Sequence, residues 1–444
     1  MKIKMKILLI AYDNQSYISP FPTGLAYIAS ALRKDHEVEI YNQDVHHYPD
    51  EHLTWYLDNN KFDVVGVGVV GGYYQYKKLL GIASAINRST QRPHFIIGGH
   101  GPSPDADYFK QKTSCDAVVV GEGEKAVKYA LEGFGSFKEE LIADVDSIPF
   151  PAYDLFPIEV YRLMREAHCE NTDFVMPMIS GRGCPFKCTF CYRMDEGFRP
   201  RSAESIIEEI KLLQRHYRIN YIIFNDELLM SSVRRTSELC DAFLKEGLKF
   251  KWFCNGRLNF ANDGLLKLMK KAGCVCINYG IEAMDDIVLR KMNKQLTVEQ
   301  IYKGIETTLE AGISPGLNMM FGNIGDNKEV LTKDVEFLLK YDNGAHRRTI
   351  RPVTPYPGSA LYYHAIERGL LYGCADFYEN KHLNSDLLSV NFTDMDDDEF
   401  HLALLDANER LLRSYYQKQM EGVIKEAQDL YIKKNTGFRG FRTT

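Results

Sequence analysis

The chain has 444 residues, of which 45% are hydrophobic and 26% charged, and a net charge of −6. That length suits two or three globular domains, and the acidic balance leaves no general footprint for nucleic acid. No segment approaches the ~18 apolar residues of a membrane helix. The ten cysteines are scattered outside one triplet, so they form no disulfide framework and suit a reducing cytoplasm.

The first 135 residues alternate strand and helix. The opening run to Ile10 has a short apolar stretch with no small-residue cleavage site after it, so it reads as a strand over Lys6–Ala11 rather than a signal peptide. A helix over Thr23–Lys34, a strand over Glu37–Tyr41 and a buried strand over Asp63–Val70 follow. A helix through Ala83 and Ile86, strands over His94–Ile97 and Ala117–Val120, and a helix over Glu124–Leu131 complete the unit. This order predicts an open parallel sheet with helices on both faces, binding ligand beyond the carboxyl ends of its strands. Glycine-rich loops fall at those ends: Gly71-Gly72, Gly98-Gly99-His100-Gly101 and Gly121-Glu122-Gly123-Glu124. Gly66-x-Gly68-x-x-Gly71 imitates a dinucleotide fingerprint, but its first glycines lie within the strand and no acidic residue closes the next one. Residues 136–174 read as a linker, because Pro149, Pro151 and Pro157 disfavour helix.

From residue 175 the pattern resumes with six strands: Val175–Ser180, Tyr221–Asn225, Phe250–Asn255, Val275–Ile281, Pro315–Phe321 and Thr349–Thr354. Helices such as Ala203–Tyr217 and Ser231–Glu246 lie between them, predicting a partial parallel barrel over 175–369 with functional residues at the carboxyl ends of its strands. After the first strand stand Cys184, Cys188 and Cys191, spaced C-x3-C-x2-C. Three thiolates on one loop can hold three corners of a cubane iron–sulfur cluster and leave the fourth iron open to a small molecule. A zinc site would call for a fourth close nitrogen or sulfur, and the next histidine is the distant His216. The other strand ends carry Asp226 and Glu227, Arg257, and Glu282, while Asn318 lies within the fifth strand. Arg351 to Gly358 reads as a turn before a helix over Ser359–Glu367. Cys254, Cys274, Cys276 and Cys374 read as small hydrophobes. Residues 370–444 read as a mainly helical region, with the acidic run Asp394–Glu399 capping a helix through Phe400–Met420 and a frayed basic end over Lys433–Thr444.

The cysteine loop Gly-Cys-Pro-Phe-Lys-Cys-Thr-Phe-Cys-Tyr resembles the signature of the radical S-adenosylmethionine (SAM) superfamily. The resemblance implies a [4Fe–4S] cluster whose open iron is chelated by the amino and carboxylate groups of SAM. There the reduced cluster donates an electron, and a 5′-deoxyadenosyl radical abstracts hydrogen from substrate. It implies Phe190 and Tyr192 near the adenine, Asp226 and Glu227 near the SAM amino group, and Glu282 near the ribose hydroxyls. Arg257 would pair with the SAM carboxylate or orient a neighbouring acid, and Asn318 would join the same site.

Pro22-Thr23-Gly24-Leu25, Asp63-Val64-Val65-Gly66, Gly98-Gly99-His100-Gly101-Pro102 and the Gly-Glu-Gly-Glu run resemble, in order, the Rossmann-like cobalamin-binding domain that precedes many radical SAM domains. The resemblance implies a cobalamin site at Thr23, Gly24, Gly71, Gly72, Gly99, His100, Gly101, Gly121, Glu122, Gly123 and Glu124. It departs from the base-off proteins, whose lower axial histidine lies in D-x-H-x-x-G after the first strand. Here Ala11 to Pro22 holds no histidine, and Asp44-Val45-His46 follows the second strand with Pro49 where Gly is required, so Asp44, His46 and His47 read as a polar loop. The family resemblance implies methylation of an unactivated carbon of a small-molecule or lipid substrate, with flavodoxin or ferredoxin as electron donor. Cyclisation, ring contraction or oxidation without methyl transfer is the alternative outcome.

Overall fold

The computed structural model describes residues 4–17, 19–166, 168–194, 197–435 and 437. Six parallel strands make the first sheet: β1 (Lys6–Ala11), β2 (Glu37–Asn42), β3 (Val64–Gly68), β4 (His94–Gly98), β5 (Ala117–Val120) and β6 (Gly135–Lys138), in the order β2-β1-β3-β4-β5-β6. Alternation along β1 feeds two cores. Leu8 and Ile10 pack with Leu53, Leu57, Leu79 and Ile82, whereas Ile7 and Leu9 pack with Ala29, Leu32, Val127 and Ala130. The strand order reverses between β1 and β3, which places the ligand crevice at their carboxyl ends.

Three parts of this unit depart from the sequence reading. β6 pairs with β5, so the sheet runs past residue 135 into the predicted linker. Helices over Asp50–Asn59 and Ala106–Thr113 cover one face; they were not predicted, because both are short and polar. Asp44 is not in a solvated polar loop. It is buried in a single helical turn, Gln43–His46, where its carboxylate accepts from the Asn14 amide (3.0 Å) and the Ser19 hydroxyl (2.9 Å).

The second sheet contains β7 (Val175–Met178), then, beyond the hairpin β8 (Gly181–Cys184) and β9 (Gly197–Pro200), β10 (Tyr221–Phe224), β11 (Lys251–Gly256), β12 (Cys274–Glu282), β13 (Ser314–Phe321) and β14 (Arg351–Pro352). Its order, β14-β13-β12-β11-β10-β7, follows the chain, with every pair parallel, as a six-stranded open barrel requires. The helix Ala203–Tyr217 shows how the sequence builds the outer layer. Ser202 caps it by accepting from the Ser205 amide, Ile206, Ile210 and Leu213 share one buried face, and Arg218 ends it in a left-handed conformation.

Residues 370–444 are mainly helical, as the sequence predicts, and their first part joins the core of the first domain. Tyr362, Leu371, Cys374, Phe377, Tyr378 and Val390 complete the core of the first domain. Tyr378 stacks on Tyr76 at 4.7 Å, and the Tyr108 hydroxyl donates to Glu379 (2.9 Å). The chain then returns to the barrel as one helix, Asp397–Tyr431, capped by Asp396 and packed through Phe400 on Phe321 at 5.0 Å. Of the basic end, residues 436 and 438–444 lie outside the described residues. Among the described residues no helix is long and apolar enough to cross a membrane.

Candidate active site at the cysteine loop

The cysteine loop connects β8 to β9, so a short antiparallel hairpin holds it at the carboxyl end of β7, with Cys184 opposite Gly197. The barrel grips both ends of that entry. Asp226, just beyond β10, accepts through Oδ1 from the amides of Ser180 and Gly181, each at 2.7 Å. Its Oδ2 is buried with no partner among the described residues, and burial raises its pKa to about 6. Further along, the Thr189 amide donates to Met292 O (3.0 Å), Asn293 donates to Lys187 O (2.8 Å), and the Leu361 amide donates to Thr189 O (2.8 Å).

Two cations face the sulfurs. Arg257 lies beyond β11 with its guanidinium carbon 3.6 Å from the Phe186 ring centroid, one nitrogen donating to Cys188 Sγ at 3.7 Å and another to Lys294 O. Lys294 is buried, pairs with Glu282 at 2.7 Å, and lies 5.7 Å from the Phe190 ring centroid. The Cys188 thiol is pushed down to about 6, first by a hydrogen bond from Cys191 and then by the charges of Lys294 and Arg257. Burial raises Cys184, and the charge of Glu227 adds to that.

Cys191 hydrogen-bonds to Cys188, and the charge of Cys188 acts in turn on Cys184, so the donor set fits a cluster held at three corners. Glu282 stands at a register break in β12 with φ of 75°, a backbone that non-glycine residues rarely adopt and that gathers at functional sites. Asn318, in register with Gly280 on β13, is exposed at the same end of the sheet. Glu227 is also exposed. Of the predicted SAM residues, Phe190 and Tyr192 lie on the loop and the charges of Glu227 and Glu282 reach its cysteines, while Asn318 is placed only by its register with Gly280. Arg257 differs from its expected part, being tied to the cysteine loop itself, and Asp226 holds the hairpin entry. Lys294 escaped the sequence reading because nothing marks a turn lysine as the partner of a glutamate on the preceding strand.

The first domain meets this loop directly. His100 contacts the Tyr192 ring edge-on at 5.9 Å. Arg182 of β8 bridges Glu122 (2.9 Å) and Glu124, and Arg199 of β9 pairs with Glu122 (2.8 Å). Glu122 and Glu124, read from sequence as cobalamin contacts, thus serve as a buried clamp on the cysteine hairpin. Of the predicted glycines, Gly99 and Gly101 let the loop after β4 approach that after β3, since a Cβ on Gly99 would lie 2.5 Å from Val69 O and one on Gly101 3.0 Å from Val70 O. Gly71 lies against the Tyr378 hydroxyl, Gly72 against its own Gln75, and Gly123 against Ile28. Thr23 donates to Phe21 O. Gly24, in the first turn of the helix Thr23–Leu32, and Gly121, just after β5, have open space where a side chain would project, the room a broad macrocycle needs.

Comparison with known proteins agrees with this construction. The family model of the Radical SAM superfamily matches residues 178–338, and that of the B12 binding domain matches residues 16–131. An uncharacterized methyltransferase, PH0819, of Pyrococcus horikoshii is 29% identical over 83% of this chain and 84% of its own. The hopanoid C-3 methylase of Methylococcus capsulatus is 22% identical over 81% and 72%. The anaerobic magnesium-protoporphyrin IX monomethyl ester cyclase of Rubrivivax gelatinosus is 23% identical over 77% and 65%. Among solved structures, the fold is shared with the radical SAM methyltransferase TsrM from Kitasatospora setae, solved with cobalamin and a [4Fe–4S] cluster (TM-score 0.69, 16% identity, 92% and 89% covered). It is shared also with the cobalamin-dependent radical enzyme OxsB (TM-score 0.63, 18% identity), of whose chain 55% is covered. This chain belongs to the radical SAM superfamily, with a B12-binding domain ahead of its radical SAM domain. Its cofactors are a [4Fe–4S] cluster, SAM and cobalamin.

Proposed function

We propose that the protein is a cobalamin-dependent radical SAM methyltransferase that methylates an unactivated carbon of a small-molecule or lipid substrate. The single observation that carries this reading is the clamp of Arg182 and Arg199 on Glu122 and Glu124, which ties the cysteine hairpin to the strand ends of the B12-binding domain. Two-cofactor chemistry requires such proximity, and rigid placement lowers its entropic cost. When bound, the cofactors supply the radical that removes hydrogen and the methyl group that replaces it.

The chain's residues bind, orient and balance charge. Cys184, Cys188 and Cys191 hold the cluster, and Arg257 donates to one sulfur, a contact that tunes reduction potential. Glu282, Glu227, Asn318, Phe190 and Tyr192 form the SAM side, with Lys294 holding the Glu282 carboxylate in place through their ion pair. Gly24, Gly121 and the glycine loops give the corrin its room. An electron donor such as flavodoxin or ferredoxin would supply the electron, and the free cysteines are consistent with a reducing cytoplasm. The test is anaerobic reconstitution with iron, sulfide and hydroxocobalamin, then incubation with SAM, reductant and candidate substrates. Corrin and cluster absorbance retained after desalting, with product heavier by one methyl group, is expected. Product without added methyl mass favours oxidation or cyclisation, the latter being what the Rubrivivax relative's name describes; loss of corrin on desalting removes the two-cofactor reading.

A further inference from the structure

Three side chains that the proposed reaction leaves unused meet at the opposite end of the barrel. Cys276 is near the start of β12, paired with Ser314 at the start of β13. His168 comes from the segment joining the two domains, and His346 from the connection into β14. Their ligating atoms all lie within 4.8 Å of one another. Cys276 is fully buried, His346 is half-buried, and the two imidazoles meet edge-on at 5.8 Å. The His346 Nε2 is buried and has no hydrogen-bond partner among the described residues. A buried polar atom left unpaired is costly and calls for an explanation such as an ion.

We propose that His168, Cys276 and His346 bind a zinc ion with a structural role. Two imidazoles and one thiolate are a zinc donor set, too rich in nitrogen and sulfur for magnesium or calcium. Zinc ligands at about 2.0–2.3 Å lie about 3.3–3.5 Å apart, so the three must draw in by roughly an ångström, which side-chain rotation on the exposed His168 provides. Binding displaces the Cys276 thiol proton to solvent. A water completes four-coordination. Arg348, held by Tyr341 O (3.2 Å) and Pro315 O (3.1 Å), favours the thiolate over the thiol. Its positive charge opposes the ion, as does that of Lys270 near His168, so the site is weaker than an all-cysteine one. The amino end of barrel strands is where residues serve stability rather than catalysis. An ion there would fasten the interdomain segment to β12.

The test uses the full chain carrying cluster and cobalamin, exposed to excess zinc sulfate, washed with a mild chelator and analysed for zinc and iron. One zinc per chain is expected, with a zinc-edge X-ray absorption shell of one sulfur at about 2.3 Å and nitrogen or oxygen at about 2.0 Å. His346→Ala and Cys276→Ser should lower zinc below a tenth of that while iron and corrin stay constant. Should a core variant fail to fold, His168→Ala at the exposed linker position serves instead, with the same loss expected. No zinc uptake overturns the proposal. So does a shell of three sulfurs, which would mark the cysteine loop, or zinc undiminished by His168→Ala and His346→Ala.

Discussion

Glu282 and Lys294 form a buried ion pair beside the cysteine loop, and removing one member of such a pair leaves the other uncompensated. Lys294→Met should destabilise the protein by about 3–5 kcal/mol, read as a drop in thermal midpoint, and the double change Lys294→Met with Glu282→Leu should recover much of it. An additive double variant would show that the two charges are not coupled. A second buried acid gives a pH dependence. Asp326 accepts from the amides of Gly322 (2.9 Å) and Asn323 (2.8 Å), yet burial raises its pKa from 3.8 to about 7. Because the folded value is the higher one, its contribution is full below about pH 4 and is lost as pH rises towards 7. Asp326→Asn keeps an acceptor and removes the charge, so it should raise the thermal midpoint at pH 8 and leave it nearly unchanged at pH 4. At about 1.4 kcal/mol per pKa unit, the gain is on the order of a few kcal/mol. An equal effect at both pH values would refute that assignment.

At the scale of elements, the hairpin β8–β9 works as a handle by which the first domain holds the cysteine loop. Arg182→Ala strips Glu122 and Glu124 of a shared partner, and Arg199→Ala removes the other pair on Glu122. The double variant should keep its cluster iron but show at least tenfold faster amide hydrogen exchange across residues 181–200; unchanged exchange would mean that the hairpin is held by its own strands. This handle was not legible in the sequence. Arg182 and Glu122 are 60 residues apart on different domains, and the hairpin's glycines and arginines carry no strand pattern. The parallel strands were legible, since runs such as Ile7–Ala11 and Tyr221–Phe224 are apolar without interruption, as strands buried on both faces must be. The cysteines were legible for another reason: their spacing is local, so no tertiary contact is needed to see it. The glycine loops were readable as loops, but not the division between glycines packed on neighbouring backbone and those facing open space.

At the scale of the whole molecule, the two cofactor units are interleaved in sequence. The first domain's core is finished by Phe377 and Tyr378, and the barrel's outer layer by Phe400. Phe377→Ala should cost about 3–5 kcal/mol and act across the sequence, lowering corrin retention after desalting while cluster iron stays constant; parallel loss of both would mean general unfolding. The same interleaving sets a timetable. Tyr108 and its partner Glu379 are 271 residues apart. A ribosome adding about 5–20 residues per second needs roughly 15–55 s to cover that span. Throughout that interval the face formed by Tyr76, Tyr108 and Phe109 has been made but its covering aromatic residues have not. The domain synthesised first is therefore among the last to be sealed, and nascent chains stalled before residue 377 carry a sticky aromatic surface that a chaperone must cover.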